Sequence, residues 1–194
     1  MSRIANLTAA CLIALLPLGQ AGATEEQAAR KVTETLVHGA YDAMAAKDVA
    51  EPARHAKLKE TISAAFAFDI WERFLVGDRA LTPAQLSEFR GLLPGFLAQL
   101  YSDSFGKGLE AEPEVADTRT VRRDVLVSAA IPRPNGNNLP VEYRIREFPE
   151  RGPLVIDVMV GGISFLVLKR DEFRAIIDER GVEGLLAFMR ENAI

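Results

Sequence analysis

An abrupt change in hydrophobic period near the C-terminus is the feature that most constrains how this chain can fold. Residues 154–160 are apolar except at Asp157 and rich in valine and isoleucine, which predicts a buried strand. Gly161 and Gly162 break this pattern. Apolar residues then recur every three or four positions as far as Ile177, as on one face of a helix. We therefore expect a central strand that leads directly into a packing helix.

The N-terminus has the pattern of a secretory signal. Arg3 is the only charge in residues 1–23, most of residues 4–18 is apolar, and Ala23 ends a small-residue cleavage site. The apolar run is shorter than the roughly 20 residues that a membrane-spanning helix needs. We predict a signal peptide over residues 1–23, followed by one domain over residues 24–194. The only cysteine lies in the signal, so a disulfide is not expected.

Three helical patterns follow the signal. Apolar residues at four-residue spacing predict a helix over residues 28–44, and a second is expected over residues 52–65. Asp69 is a plausible N-cap for a short third helix that ends at Gly77. These segments give the N-terminal half of the chain a helical character.

A longer helix is predicted from a strong start signal. Thr82 and Gln85 form a capping-box pair, and Pro83 occupies the first helical position, where its missing N–H costs nothing. A broad apolar stripe then extends to Tyr101. Pro94 lies inside this stripe and should kink the helix, which could let it arch over a space.

The pattern changes to strands in the C-terminal half. Strands are predicted at residues 118–122, 124–131, 139–147 and 154–160, and the short turns between the last three require antiparallel neighbours. Another helix is expected after Gly181. The predicted fold class is α+β, with an antiparallel sheet of about four strands packed against several helices.

Asp157 is the residue that most suggests catalysis. A carboxylate within an apolar strand must be hydrogen-bonded, paired or protonated, and Arg170 or Arg144 is the expected structural partner. As a general acid or base, Asp157 would instead make the chain a small α+β isomerase or hydrolase. Ser164 is more simply a helix N-cap than a nucleophile, because both histidines lie in the N-terminal helices.

Other function classes lack their sequence signals. The two histidines have no second ligand at metal spacing, and no phosphate-binding glycine loop follows a strand, so neither a metal nor a cofactor is predicted. The formal net charge of −4 argues against nucleic acid as a partner.

Two blocks of the sequence resemble the MlaC family, also called toluene-tolerance auxiliary proteins. The first block covers residues 68–101 and contains LTPAQL at residues 81–86. The second covers residues 157–186, with ISF at residues 163–165 and GVEGLL at residues 181–186. The blocks occur in the order that the family shows.

The resemblance implies a periplasmic phospholipid carrier without enzymatic activity. Such a carrier would shuttle lipid between the outer and inner membranes, docking to an outer-membrane lipoprotein complex and to an inner-membrane ABC transporter with a lipid-binding ring. It would hold the lipid in an apolar cavity between sheet and helices. The lipid-binding residues that this reading suggests are Trp71, Phe74, Leu75, Phe89, Leu93, Phe96, Leu97, Tyr101, Val125, Val127, Tyr143, Met159, Ile163, Phe165 and Phe173.

Two departures from the family pattern leave the cargo open. Leu168-Lys169 stands where the family usually has Asn-Tyr, and Ala80-Leu81 stands where it often has Tyr-Trp-Arg. A hopanoid or another polycyclic lipid is therefore the alternative cargo. Hydrophobic periodicity cannot decide which apolar residues line a cavity and which fill a core.

Overall fold

The computed structural model describes residues 20–77, 79, 81–106, 111–133 and 135–194. The predicted signal peptide therefore lies almost wholly outside the described residues. The helices that precede the sheet are α1 (Gln20–Ala45), α2 (Glu51–Ala65), α3 (Phe68–Val76) and α4 (Pro83–Phe105). The strands and the last helix are β1 (Glu114–Val121), β2 (Asp124–Ile131), β3 (Leu139–Phe148), β4 (Gly152–Val160), β5 (Ile163–Ser164) and α5 (Phe165–Glu191).

The described strands form one antiparallel sheet in the order β1-β2-β3-β4-β5. The α+β prediction is confirmed, but the sheet has five strands rather than about four. Gly161 and Gly162 have positive φ angles of 59° and 82°, and the turn they form brings Ile163 back to pair with Val160. Ile163 therefore belongs to a short edge strand and not to the helix that the sequence predicted there.

The capping box at the start of α4 is confirmed. The Thr82 hydroxyl accepts a hydrogen bond from the Gln85 N–H at 3.3 Å, and the Gln85 side-chain oxygen accepts one from the Thr82 N–H at 2.9 Å. The helix continues through Pro94 to Phe105. It therefore presents one long apolar face to the rest of the protein.

The predicted N-cap role of Asp69 is wrong. The N-cap of α3 is Ala67, whose N–H donates to the carbonyl of Val155 in β4 at 3.0 Å. This bond to the sheet sets where the helix begins, so Asp69 falls inside the first turn. Its carboxylate instead binds the Arg151 guanidinium through two hydrogen bonds of 2.9 and 3.3 Å.

The core lies between the helices and one face of the sheet. Helix α1 packs across β1 to β4, and Arg30 donates to the β1 carbonyls of Val115, at 2.8 Å, and Ala116. Helix α5 packs against α3 and α4 and is interrupted at Gly181, where φ is 70°. Along the described part of the chain, no helix is both long and apolar enough to cross a membrane.

Candidate functional site

An apolar pocket lies where α3, α4, β4 and the start of α5 meet. Its free volume is about 20 Å³, little more than one water molecule needs. None of the described residues that line it carries a charge: Phe66, Trp71, Leu97, Leu100, Tyr101, Ser104, Phe105, Val158, Val160 and Phe165. An acyl chain can enter this pocket only if its walls move apart.

Regular secondary structure brings the walls together. Leu97, Tyr101 and Phe105 follow one another at four-residue spacing and therefore share one face of α4. Val158 and Val160 are two residues apart in β4, so both side chains project from the same face of the sheet. The pocket is thus formed between one helix face and one sheet face.

Two tyrosine hydroxyls meet at the pocket. The hydroxyl oxygens of Tyr101, on α4, and Tyr143, on β3, lie 2.7 Å apart in a hydrogen bond. Burial raises the pKa of the Tyr101 hydroxyl far above its usual range, although the bond from Tyr143 opposes this effect. Burial also raises the pKa of Tyr143, with the neighbouring Tyr101 as the next cause. Both groups therefore stay neutral and keep their protons.

Trp71 contributes a second polar group to the pocket wall. Its side chain is 1% exposed and packs edge-on against Phe66, with ring centroids 5.5 Å apart. The buried indole N–H has no hydrogen-bond partner within the part of the chain that the structure describes. Since an unpaired buried donor is unfavourable, this atom is a notable feature of the wall.

Asp157 accepts its hydrogen bonds from neutral donors and from neither of the predicted arginines. One carboxylate oxygen accepts hydrogen bonds from the Val158 and Leu166 N–H groups, at 2.8 and 3.2 Å, and the other accepts from the Ser164 hydroxyl at 2.6 Å. Arg170 instead binds Asp171. Asp157 thus joins β4 to the start of α5.

The environment of Asp157 shifts the pKa of its carboxyl group. Burial raises the pKa of this carboxyl, and the hydrogen bonds from Ser164, Leu166 and Val158 offset that rise only in part. Arg144, which lies directly opposite Asp157 in the pairing of β3 with β4, also lowers this pKa through its positive charge. Ser164 also accepts from the Val167 N–H at 3.1 Å, which confirms it as the N-cap of α5. Both side chains therefore have structural partners.

Only part of the predicted lipid-binding set lines the pocket. Trp71, Leu97, Tyr101 and Phe165 do so, and Tyr143 reaches the pocket through its bond to Tyr101. Sequence reasoning missed the other lining residues, which are Phe66, Leu100, Ser104, Phe105, Val158 and Val160. Helical spacing from Leu97 could have identified Leu100, Ser104 and Phe105.

Several predicted residues pack elsewhere. Phe173 on α5 contacts Phe89 and Phe96 on α4, with centroid distances of 6.2 and 5.3 Å, and Leu93 is buried on the same helix. These side chains are buried and do not line the pocket, so a lipid-binding role for them stays a prediction. In α3, Leu75 is buried and Phe74 lies beneath the guanidinium of Arg170.

The sheet residues of the predicted set divide between its two faces. Val125 and Val127 are buried on the face that carries Tyr143 but do not line the pocket. Met159 follows Val158 directly and therefore points to the opposite face. Ile163 is 65% exposed. A lipid-binding role for these residues remains a prediction.

A buried carboxylate on the other face of the sheet was not anticipated. Asp124 is 1% exposed and accepts hydrogen bonds from the Nε atoms of Arg144 and Arg146, at 2.6 and 2.7 Å. Burial acts to raise its pKa, but the bonds and charges of the two arginines prevail and hold the pKa below its usual value. The alternating Arg144 and Arg146 were the available sequence signal.

The described residues do not form a metal centre. Within the described residues, no three His, Cys, Asp or Glu side chains come together in a group that could hold a metal ion. The pocket therefore remains the principal candidate site.

A comparison with models of protein families identifies the family of this chain. The family model described as MlaC protein matches residues 30–191. The chain belongs to the MlaC family. The match contains α2 to α5, all five strands and most of α1.

A solved structure shows the same fold. The phospholipid-binding protein from Ralstonia solanacearum, determined in complex with a phospholipid, superposes with a TM-score of 0.66 at 18% sequence identity. The alignment covers 87% of this chain and 96% of that protein. Comparison with curated proteins gives no significant match.

Proposed function

We propose that this MlaC-family protein is a periplasmic carrier that binds phospholipid and shuttles it between the outer and inner membranes. The observation that carries the proposal is the uncharged pocket between α4 and β4, with Trp71 and Tyr101 in its walls. Family membership supports this reading. The Ralstonia solanacearum protein of the same fold, which holds a phospholipid, supports it further.

The energetics explain why a carrier is needed. Burying a methylene group is worth about 0.8 kcal/mol, so exposing roughly thirty methylenes of a diacyl lipid costs on the order of 20 kcal/mol. A pocket lined by apolar side chains lowers this barrier. The free volume of about 20 Å³ means that loading must separate the α4 side chains from those of β4.

The proposed carrier is exported to the periplasm and works with partners in both membranes. Cleavage near Ala23 would remove only the first residues of α1, and Glu26 would keep its contact with the Thr120 hydroxyl at 2.7 Å. The mature protein would form one lipid-binding domain. Its partners would be an outer-membrane lipoprotein complex and an inner-membrane ABC transporter with a lipid-binding ring, which would supply the ATP-driven step.

Lipid analysis of the purified protein tests the proposal. The chain is expressed with its signal and purified without detergent, and the bound lipid is extracted and quantified by mass spectrometry. We expect roughly one diacyl phospholipid per protein, since an apolar pocket of this kind favours burial of acyl chains. A bound hopanoid would support the alternative cargo. Protein that carries no lipid and cannot be loaded from vesicles would contradict the proposal.

Fluorescence quenching tests whether the pocket itself is the binding site. Trp71 is the only tryptophan in the chain and lines the pocket. Vesicles of phosphatidylcholine with brominated acyl chains should therefore quench its emission on loading, because bromine quenches by contact. Vesicles of the unbrominated lipid are the matched control. Loading without quenching would place the acyl chains elsewhere.

A further inference from the structure

We propose that Trp71 and the Tyr101–Tyr143 pair form a hydrogen-bond donor site that binds an ester carbonyl of the lipid. This inference rests on the proposed carrier function and adds a chemical selection to it. The site would favour ester-linked acyl lipids over ether-linked lipids and over polycyclic hydrocarbons. Three observations carry it: an unpaired indole N–H, a surplus hydroxyl proton and a wall without charge.

The indole of Trp71 is the first observation. An indole nitrogen can only donate a hydrogen bond, and this one is buried without a partner among the described residues. Most buried donors in native proteins are paired, so an unpaired one in a pocket wall indicates that a ligand supplies the acceptor. The ring lies against Phe66 and shares the pocket with Val158.

The tyrosine pair is the second observation. Tyr101 and Tyr143 carry two hydroxyl protons between them, and their mutual bond at 2.7 Å uses only one. No further hydrogen bond joins either hydroxyl to the described part of the chain. Because Tyr101 also lines the pocket, the second proton is available to an acceptor that enters there.

The absence of charge from the described pocket wall identifies the acceptor. A phosphate is anionic, and burying it without a cation would cost far more than its hydrogen bonds return. An ester carbonyl is neutral and accepts hydrogen bonds without donating any. It therefore matches a site that offers donors only. A polycyclic hydrocarbon would leave the Trp71 N–H unpaired.

A competition between two lipids tests this selection on the wild-type protein. Delipidated protein is incubated with vesicles that contain equal amounts of dioleoyl phosphatidylcholine and its dioleyl ether analogue, and the bound lipids are measured by mass spectrometry. The two lipids share headgroup and chain length but differ in their carbonyls. Because one hydrogen bond contributes about fivefold in affinity, we expect at least about fivefold enrichment of the ester lipid.

Tyr101→Phe and Trp71→Phe should each reduce the ester preference toward equal binding, because each removes a donor from a residue that lines the pocket. The measured ratio is taken within one sample, so a lower yield of folded protein does not change it. Tyr41→Phe is the matched control, since it removes a hydroxyl from α1, away from the pocket. It should keep the wild-type ratio.

The indole signal gives a direct readout. The chain has one tryptophan, so a ¹⁵N-labelled sample shows a single indole N–H resonance. Loading with the ester lipid should shift this resonance downfield, and loading with the ether lipid should not. Equal binding of both lipids with identical indole shifts would overturn the donor site while leaving the carrier function intact. If neither lipid binds, the carrier proposal itself fails.

Discussion

Two aromatic clusters each include residues of helix α4 and have similar sequence patterns, but one forms part of the core and the other lines the pocket. In the phenylalanine cluster, Phe173 meets Phe89 and Phe96 at centroid distances of 6.2 and 5.3 Å. In the pocket cluster, Trp71 packs on Phe66, and Tyr101 lies 4.6 Å from Phe105. Both clusters combine side chains that are far apart in sequence.

The clusters differ in their polar atoms. The phenylalanine cluster consists of hydrocarbon rings, which pack closely without hydrogen bonds. The pocket cluster includes the indole N–H of Trp71 and the hydroxyl of Tyr101, which bonds to Tyr143. A core gains nothing from the unpaired indole N–H, whereas a binding site can use it. The polar atoms, rather than the apolar periodicity, therefore distinguish the candidate site from the core.

The largest expected effect comes from the phenylalanine cluster. Phe173→Ala should lower the free energy of unfolding by about 3–5 kcal/mol, because it removes a fully buried ring and leaves a cavity. Urea denaturation of the lipid-free protein measures this change. Lipid bound per folded protein should stay near the wild-type value. Loss of loading with unchanged stability would show that this cluster belongs to the site.

Phe105→Ala is the matched substitution in the pocket cluster. Its ring already faces the free volume of the pocket, so the variant should lose less stability than Phe173→Ala. It should also change the amount of lipid bound. Equal destabilisation by the two substitutions, with unchanged lipid binding, would erase the distinction between the clusters.

The next effect concerns a buried ion pair remote from the pocket. Asp124→Asn should lower stability at neutral pH by about 2–3 kcal/mol, because hydrogen bonds between charged groups are lost and two arginines remain. The folded pKa of Asp124 lies below its ordinary value of 3.8, so its contribution is complete above that value. It is lost as the pH falls through the folded pKa.

Denaturation of wild type and Asp124→Asn at several pH values measures this dependence. The stability difference between the two proteins should be largest near neutral pH and should shrink in strong acid. Lipid binding by the folded variant should be unchanged, since the side chain points away from the pocket face. A constant difference at every pH would contradict the role of the carboxylate charge.

A third expectation tests where the cavity ends. Val127 is fully buried and pairs in the sheet with Thr118 and Tyr143, but it does not line the pocket. Val127→Trp should therefore overpack the core and cost about 1–3 kcal/mol in the lipid-free protein. Thermal unfolding measures the change. If the variant keeps its stability while lipid loading falls, the cavity extends to Val127, as the family resemblance suggested.

Local signals predicted the fold well. The capping box at Thr82 and Gln85 depends on residues three apart, and the structure has both of its hydrogen bonds. The N-cap at Ser164 is equally local. The short strand β5 was missed because two residues carry no detectable period, and only their pairing with β4 defines them.

The site was harder to predict because it depends on distant contacts. Phe66 and Val158 line the same pocket although they belong to opposite halves of the sequence, and no spacing rule connects them. Phe89 has the same helical pattern as Leu97 but packs in the core. Arg170 was a wrong prediction for the partner of Asp157, and the backbone N–H groups that do bind this carboxylate leave no trace in the amino-acid sequence. The hydrophobic pattern indicates which residues are buried, but only the three-dimensional fold shows what each buried side chain contacts.

Asp157→Asn provides the smallest expected effect, and Asp157 reverses the pH dependence of Asp124. Its folded pKa is raised above 3.8, mainly by burial, so the folded protein binds this proton more tightly than the unfolded chain. The resulting stabilisation is complete below 3.8 and is lost as the pH rises through the folded pKa. Wild type should therefore be stabilised by acid relative to Asp157→Asn, whose amide does not titrate in this range.

At neutral pH, Asp157→Asn should cost no more than about 1 kcal/mol, because its oxygen can still accept from the Val158 and Leu166 N–H groups. Asp157→Ala loses every one of these bonds and should cost about 1–3 kcal/mol. Since Val158 and Phe165 line the pocket, the alanine variant should also bind lipid less well, whereas the asparagine variant should not. Denaturation and lipid loading of both variants check this order. If the asparagine variant alone lost lipid binding at full stability, the charge of Asp157 would act on the cargo, and its structural role would be insufficient.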